Sequence, residues 1–130
     1  MSHHDLKGRL EDRRYITGTG AYTGDRNLPG QLHACFLRAD RPHAEILSID
    51  SSAALAVKGV HAVLTAADVA AAGLKPMPVN SIAGKSRDGS ELVKTVRPAL
   101  AQGRVRFVGE AVACVVAESL SIAQDAMEQI

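Results

Sequence analysis

The sequence predicts an α+β domain, a mixed sheet carrying two or three short helices. Three observations lead there. Strand-like and helix-like segments follow one another without regular β-α alternation, which argues against a doubly wound parallel sheet. The 130 residues amount to a single domain, 1–130, long enough for one core. Hydrophobic residues make up 46% against 22% charged, a globular composition. Aromatic residues are only 3% and tryptophan is missing, so Ala, Val, Leu and Ile must fill the core. Such side chains allow close approach but bury little area each, and a modest stability is expected of the isolated chain.

Residues 1–30 are polar and Gly-rich and close with Leu28-Pro29-Gly30, which predicts an extended N-terminal segment on a surface. "QLHACFLRA" (31–39) is mostly apolar on both alternating faces, as in a strand covered on two sides. "HAEILSID" (43–50) alternates, with Ala44, Ile46 and Ser48 opposing Glu45, Leu47 and Ile49, and predicts a second strand. "SSAALAVKG" (51–59) opens with N-cap serines and stops at Gly59, the pattern of a short helix. "VHAVLT" (60–65) is a strand, and Ala-rich "AADVAAAG" (66–73) is a helix stopped by Gly73. Residues 74–95 hold prolines and glycines without periodicity, and so long an irregular stretch is usually functional or mobile.

"VRFVGEAVACVVAES" (105–119) carries the strongest β signal, two strands broken at Gly109-Glu110, with Ala111–Ala117 as a central buried strand. The last residues predict a helix, with Ser121 and Gln124 as a capping box. Ile122, Ala123, Ala126, Met127 and Ile130 form its apolar stripe, which runs to the final residue and suggests a chain cut short.

Composition excludes several function classes. A net charge of +1, from 15 basic and 14 acidic residues, gives no footprint for nucleic acid. Arg9, Arg13, Arg14, Arg104 and Arg106 lie near Glu11, Asp12 and Glu110 and read as solvated ion pairs. The N-terminus lacks the apolar core of a secretory signal, and no apolar run approaches the roughly 20 residues of a membrane helix. Cys35 and Cys114 read as small buried hydrophobes in a reducing compartment, so a cytoplasmic protein is expected.

"TGTGAYTG" (17–24) spaces Gly18, Gly20 and Gly24 like a dinucleotide turn. Such a turn needs a buried strand before it and a helix after it. Charged "LEDRRYI" precedes it and "DRNLPG" follows, so the glycines are read as structural. His3 and His4 sit on a terminus, His33 and His61 have no metal-spaced partner, and His43 adds none. Neither cysteine has an adjacent base, no G-x-S-x-G elbow occurs, and nothing fixes a partner for Glu11, Asp12 or Glu110. The expected set of catalytic, cofactor-binding and metal residues is therefore none.

Five ordered blocks nevertheless carry a resemblance: "RLEDRRYITGTGAYTGD" (9–25), "LPGQLHACFLRADRPHAEILSID" (28–50), "KGVHAVLTAADV" (58–69), "RVRFVGEAVACVVAES" (104–119) and "AQDA" (123–126). Together they resemble the α/β hammerhead domain of the xanthine dehydrogenase and aldehyde oxidase family. This is the N-terminal domain of the molybdopterin-binding large subunit. The opening block is most similar to carbon-monoxide-dehydrogenase-type large subunits. Ala111 stands where the family usually has Pro, and Ala39 where it usually has Ser.

The resemblance implies oxidative hydroxylation of an aldehyde, an N-heterocycle or carbon monoxide by a whole enzyme with a molybdenum-pterin cofactor, the cytosine dinucleotide form in bacteria. It implies iron-sulphur and FAD subunits as partners, together with the molybdopterin domain of the same subunit. The family's catalytic glutamate and cofactor loops match no residue here, so this chain is expected to be an inactive fragment without a cofactor of its own. By the same analogy the 74–95 loop would help line the substrate funnel. Self-association of the fragment is expected from a sheet edge left open. The alternative is a free-standing hammerhead module for interaction or assembly.

Overall fold

The computed structural model of the chain describes residues 9, 11–77, 85–92 and 96–130. Contacts divide it into two units, Met1–Gln31 and Leu32–Ile130.

The second unit holds the sheet. Strands β1 (His33–Arg38), β3 (Val60–Leu64) and β5 (Ala111–Ala117) pair in the order β1-β5-β3, every pair antiparallel. Two more strands, β2 (Ala44–Glu45) and β4 (Arg104–Val105), form a separate antiparallel pair. The chain is thus a small α+β structure, and β5 is the central strand that its unbroken apolar run predicts. In-register partners lie in rows across the sheet. Cys35, Val115 and Val63 make one row, and Phe36, Cys114 and Leu64 make the next on the opposite face.

Helix α4 (Leu120–Met127) packs on the first of these faces. Fully buried Ala54, Val115, Ala117, Ala123 and Ala126 form the core cluster, flanked by Cys35, Val63, Ile122 and Met127. Ala54 comes from helix α2 (Ser52–Ala56). The contacts are short because four of these five side chains are a single methyl group. The apolar stripe of α4 is as the sequence predicts, but its cap is not. Ser119, two residues earlier than Ser121, accepts the N–H of Ile122 at 3.2 Å. The Ser121 hydroxyl is instead 3.0 Å from that of Ser119. The helix ends at Met127, so Ile130 packs from beyond it.

Other short elements differ from expectation for local reasons. The strand expected over 43–50 is reduced to Ala44–Glu45. One more bond, Ile46 N–H to the Gly103 carbonyl at 3.0 Å, ends the pairing, because β4 begins at Arg104 and leaves no partner strand beyond. Leu47 is accordingly 91% exposed. Helix α2 has a serine, Ser51, at its N-cap as expected, but the Ser51 side chain makes no cap bond; Asp50 Oδ1 instead accepts both the N–H and the hydroxyl of Ser52, at 3.0 and 2.6 Å. Helix α3 (Ala66–Ala71) lies where the alanines predict it. The irregular 74–95 stretch lies partly outside the described residues. Within it Met77 bridges Arg97, and Lys85 bridges Glu91.

The first unit, expected to be extended, contains a short helix α1 (Asp12–Ile16) and a 3₁₀ turn at Thr23–Asp25. The Asp12 carboxylate accepts the Arg9 N–H at 2.9 Å and so starts the helix. Periodicity does not reveal a five-residue helix with no buried residue. Among the described residues no helix is long and apolar enough to cross a membrane.

The caps carry a pH dependence. Asp68 Oδ2 accepts the Thr65 N–H at 2.7 Å and the Thr65 hydroxyl at 2.8 Å. These bonds, the backbone one first, hold the Asp68 carboxyl below its ordinary 3.8. A lowered folded-state value stabilises the cap above the unfolded value and loses that stabilisation as pH falls through the folded one. Acid titration followed by NMR should release the Thr65 amide below the ordinary aspartate range. In Asp68→Asn that transition should vanish.

Candidate functional site

The site builds from the turn that leads into β5. Gly109 has φ of +90°, a left-handed conformation that suits glycine, and it turns the chain between β4 and β5. Its N–H donates to the Ala39 carbonyl at 2.8 Å, and the Ala39 N–H donates to the Glu110 carbonyl at 2.9 Å. Pairing between β1 and β5 thus extends past the named strands. On the other side, the Ala101 N–H donates to the Ala111 carbonyl at 2.7 Å. The turn is tied down from both sides.

Among the described residues Glu110 is the one charged residue that is buried, 8% exposed. Its Oε2 accepts the main-chain N–H of Arg106 at 2.5 Å, and its Oε1 lies 3.9 Å from Arg106 Nη1. The carboxylate therefore closes the turn on itself. Sequence reasoning placed Arg106 beside Glu110 as a solvated ion pair, but it missed that Glu110 is buried and bound to the Arg106 main chain, because a side-chain bond to a main-chain N–H four residues earlier has no pattern of its own. The signal was the turn: a carboxylate beside a glycine breaking two apolar runs.

Against this turn lies an open cleft of about 600 Å³, lined by Arg38, Arg97, Arg106, Val96, Phe107 and Glu110 among others. Arg38 Nη1 donates to the Gly109 carbonyl at 2.9 Å, and its guanidinium carbon lies 5.8 Å from the centre of the Phe36 ring. Arg106 Nη1 donates to the Arg104 carbonyl at 3.3 Å. Arg104 itself pairs with Glu45 at 3.0 Å across the β2–β4 ladder, an exposed contact that contributes little.

The glycine-rich stretch has a clear structural use. Gly18, with φ of +71°, reverses the chain after α1. The N–H groups of Thr19 and Gly20 then both donate to the Arg14 carbonyl at 2.8 Å, and the Thr17 hydroxyl donates to Arg13 at 2.7 Å. "TGTG" is thus the C-terminal cap of a helix. A dinucleotide turn has the opposite polarity, with its helix after the glycines. A Cβ on Gly20 would collide with the Tyr15 ring, which stacks on Tyr22 at 5.2 Å between centroids. Gly24 has neither constraint.

The remaining candidates stay apart. Cys114 is buried in the row between Phe36 and Leu64, and burial pushes its thiol up, with the nearby Cys35 as the lesser cause. A thiol so held is protonated and unreactive at neutral pH. Cys35 is half-buried on the other face, its thiol 3.6 Å from the Met127 sulphur. His33 is half-buried in β1, His43 is exposed, and exposed His61 lies 3.6 Å from Glu118. His3 and His4 lie outside the described residues. Glu11 is exposed at the start of α1. Among the described residues no three His, Cys, Asp or Glu side chains gather into a set that could hold a metal ion.

Known proteins place the whole arrangement. The family described as "Aldehyde oxidase and xanthine dehydrogenase, a/b hammerhead domain" matches residues 17–130. The nicotine 6-hydroxylase large subunit of Paenarthrobacter nicotinovorans is 44% identical over 124 residues, 94% of this chain and 14% of its own. The carbon monoxide dehydrogenase large chain of Afipia carboxidovorans is 42% identical, again over 94% of this chain and 14% of its own. The crystal structure of quinoline 2-oxidoreductase from Pseudomonas putida 86 superposes with a TM-score of 0.77 at 41% identity, over 93% of this chain and 14% of that one. The chain thus spans about a seventh of the length of these relatives.

The Glu110 tie is testable. Glu110→Ala leaves the Arg106 N–H without its buried acceptor and should lower stability to urea by about 1–3 kcal/mol. Glu110→Gln, which keeps an acceptor oxygen, should lose less.

Proposed function

The chain belongs to the aldehyde oxidase and xanthine dehydrogenase family as its a/b hammerhead domain, and on that premise we propose that it is the N-terminal structural domain of a molybdenum hydroxylase large subunit. One observation carries this reading. The match covers residues 17–130 of this chain, while the chain spans only 14% of its relatives' length. The family is one of molybdenum hydroxylases, which implies molybdopterin in the whole enzyme.

In this reading the whole enzyme hydroxylates an aldehyde, an N-heterocycle or carbon monoxide in the cytoplasm. It carries its pterin in the cytosine dinucleotide form, outside this chain. Its partners are the molybdopterin domain of the same subunit and separate iron-sulphur and FAD subunits. The chain supplies no catalytic, cofactor or metal residue. The 74–95 loop contributes to the substrate funnel.

What the chain itself does is present an ordered framework for the remainder to pack upon. Two features support that role. The sheet order β1-β5-β3 leaves the outer edges of β1 and β3 without a strand partner among the described residues. The face away from α4 exposes Phe36 and Leu64, 43% and 39% accessible. Open edges and apolar faces of this kind recruit partners or self-associate.

The test is to purify the 130-residue chain and the larger enzyme that contains it. The chain alone should give no turnover of aldehyde, N-heterocycle or carbon monoxide with an artificial electron acceptor, and light scattering should report a mass above the monomer's 13.7 kDa. The larger enzyme should turn over. Turnover by the chain alone contradicts the proposal. Isolation of the chain from its own cells as a molybdenum-free protein of this length would favour the interaction module instead.

A further inference from the structure

The cleft beside the 106–111 turn has a chemistry that the hydroxylase reading does not use. We propose that it is a binding site for a small organic acid, a carboxylate carried on an apolar body. The proposal does not rest on the proposed function.

Four features of the cleft define this ligand. Its volume, about 600 Å³, lies within the range of small-molecule sites, roughly 300–1,000 Å³. Among the described residues its charged lining is three guanidiniums, Arg38, Arg97 and Arg106, against the single carboxylate of Glu110. Two positive charges are therefore uncompensated within the lining, in a chain whose whole net charge is +1. The Glu110 carboxylate lies 3.9 Å from the Arg106 guanidinium, so the uncompensated pair is Arg38 and Arg97.

Two of the guanidiniums are held in place before any ligand arrives. Arg38 is tied to the Gly109 carbonyl at 2.9 Å and Arg106 to the Arg104 carbonyl at 3.3 Å, and each bond uses one N–H of five. The remaining donors keep the forked geometry that meets a carboxylate through two parallel bonds. The carbonyls that hold them belong to the turn and to β4, and the turn is fixed by the Gly109–Ala39 and Ala39–Glu110 bonds. Arg97, by contrast, has no side-chain hydrogen bond or ion pair among the described residues and is free to close on a bound anion.

The rest of the wall selects against a bare inorganic anion. Phe107 is 58% exposed beside Val96, 66% exposed, and both line the cleft. A phosphate or acetate ion satisfies the guanidiniums but leaves these groups in water. A carboxylate on a ring or branched chain covers them and gains the burial.

The experiment is equilibrium dialysis of the full 130-residue chain against benzoate, acetate and inorganic phosphate at constant ionic strength. Dialysis reads binding whether or not the chain self-associates. Benzoate should bind saturably, one per chain, and at least fivefold more tightly than acetate or phosphate. Arg97→Ala should weaken benzoate at least threefold. Since the Arg97 side chain holds no partner among the described residues and its main-chain bond to Met77 does not depend on the side chain, the variant should keep the circular dichroism of the parent. Arg97→Lys, which retains charge without the fork, should fall between. Equal affinities for the three anions, non-saturating uptake, or benzoate binding unchanged in Arg97→Ala would each overturn the proposal. So would a cleft that ignores benzoate and takes only an acidic peptide.

Discussion

The close approach of α4 to β5 is the constraint on which the rest depends. A helix sits this near a sheet only if its facing side chains are small, and here they are Ala123 and Ala126 over Val115 and Ala117. With scarcely any aromatic residues, the chain has no other way to exclude water from its centre. Ala54 closes the side of the same cluster and ties α2 to it. Every strand of the main sheet is then ordered by its register to β5, and the turn at Gly109-Glu110 is aimed by where β5 begins.

The core cluster itself is entirely apolar. The groups that can do chemistry lie at the entry to β5, where Glu110 is buried by the turn and three arginines look into an open cleft. The cysteines, in contrast, are packing. One is held neutral in the middle of the sheet and the other rests against a methionine sulphur. Two of the glycines that mimic a nucleotide turn, Gly18 and Gly20, finish a helix.

How much of this the sequence carried follows from the physics of each element. Ala111–Ala117 and the stripe of α4 were legible because buried apolar runs have a period or a length that polar segments lack. The five ordered blocks made the family legible as well. The unread parts depend on contacts that no local pattern encodes. Strand 43–50 fails after Glu45 because its partner ends, not because its own residues change. Ser119 caps α4 rather than Ser121 because the helix already begins at Leu120, only Glu118 and Ser119 separating it from β5. Helix α1 is held by Asp12 and by the Arg14 carbonyl's two donors, with no buried face to betray it. Glu110 found a main-chain partner, which residue type alone never announces.

The most direct test of the account is the stability of Ala123→Leu, measured by urea unfolding of the full chain. Ala123 is fully buried in the cluster, and a leucine there must push α4 away from β5. The account predicts a loss of about 1–3 kcal/mol, the usual cost of overpacking a filled site. An unchanged or raised midpoint would mean that the helix and the central strand are not in close contact, and the account of the core would fail.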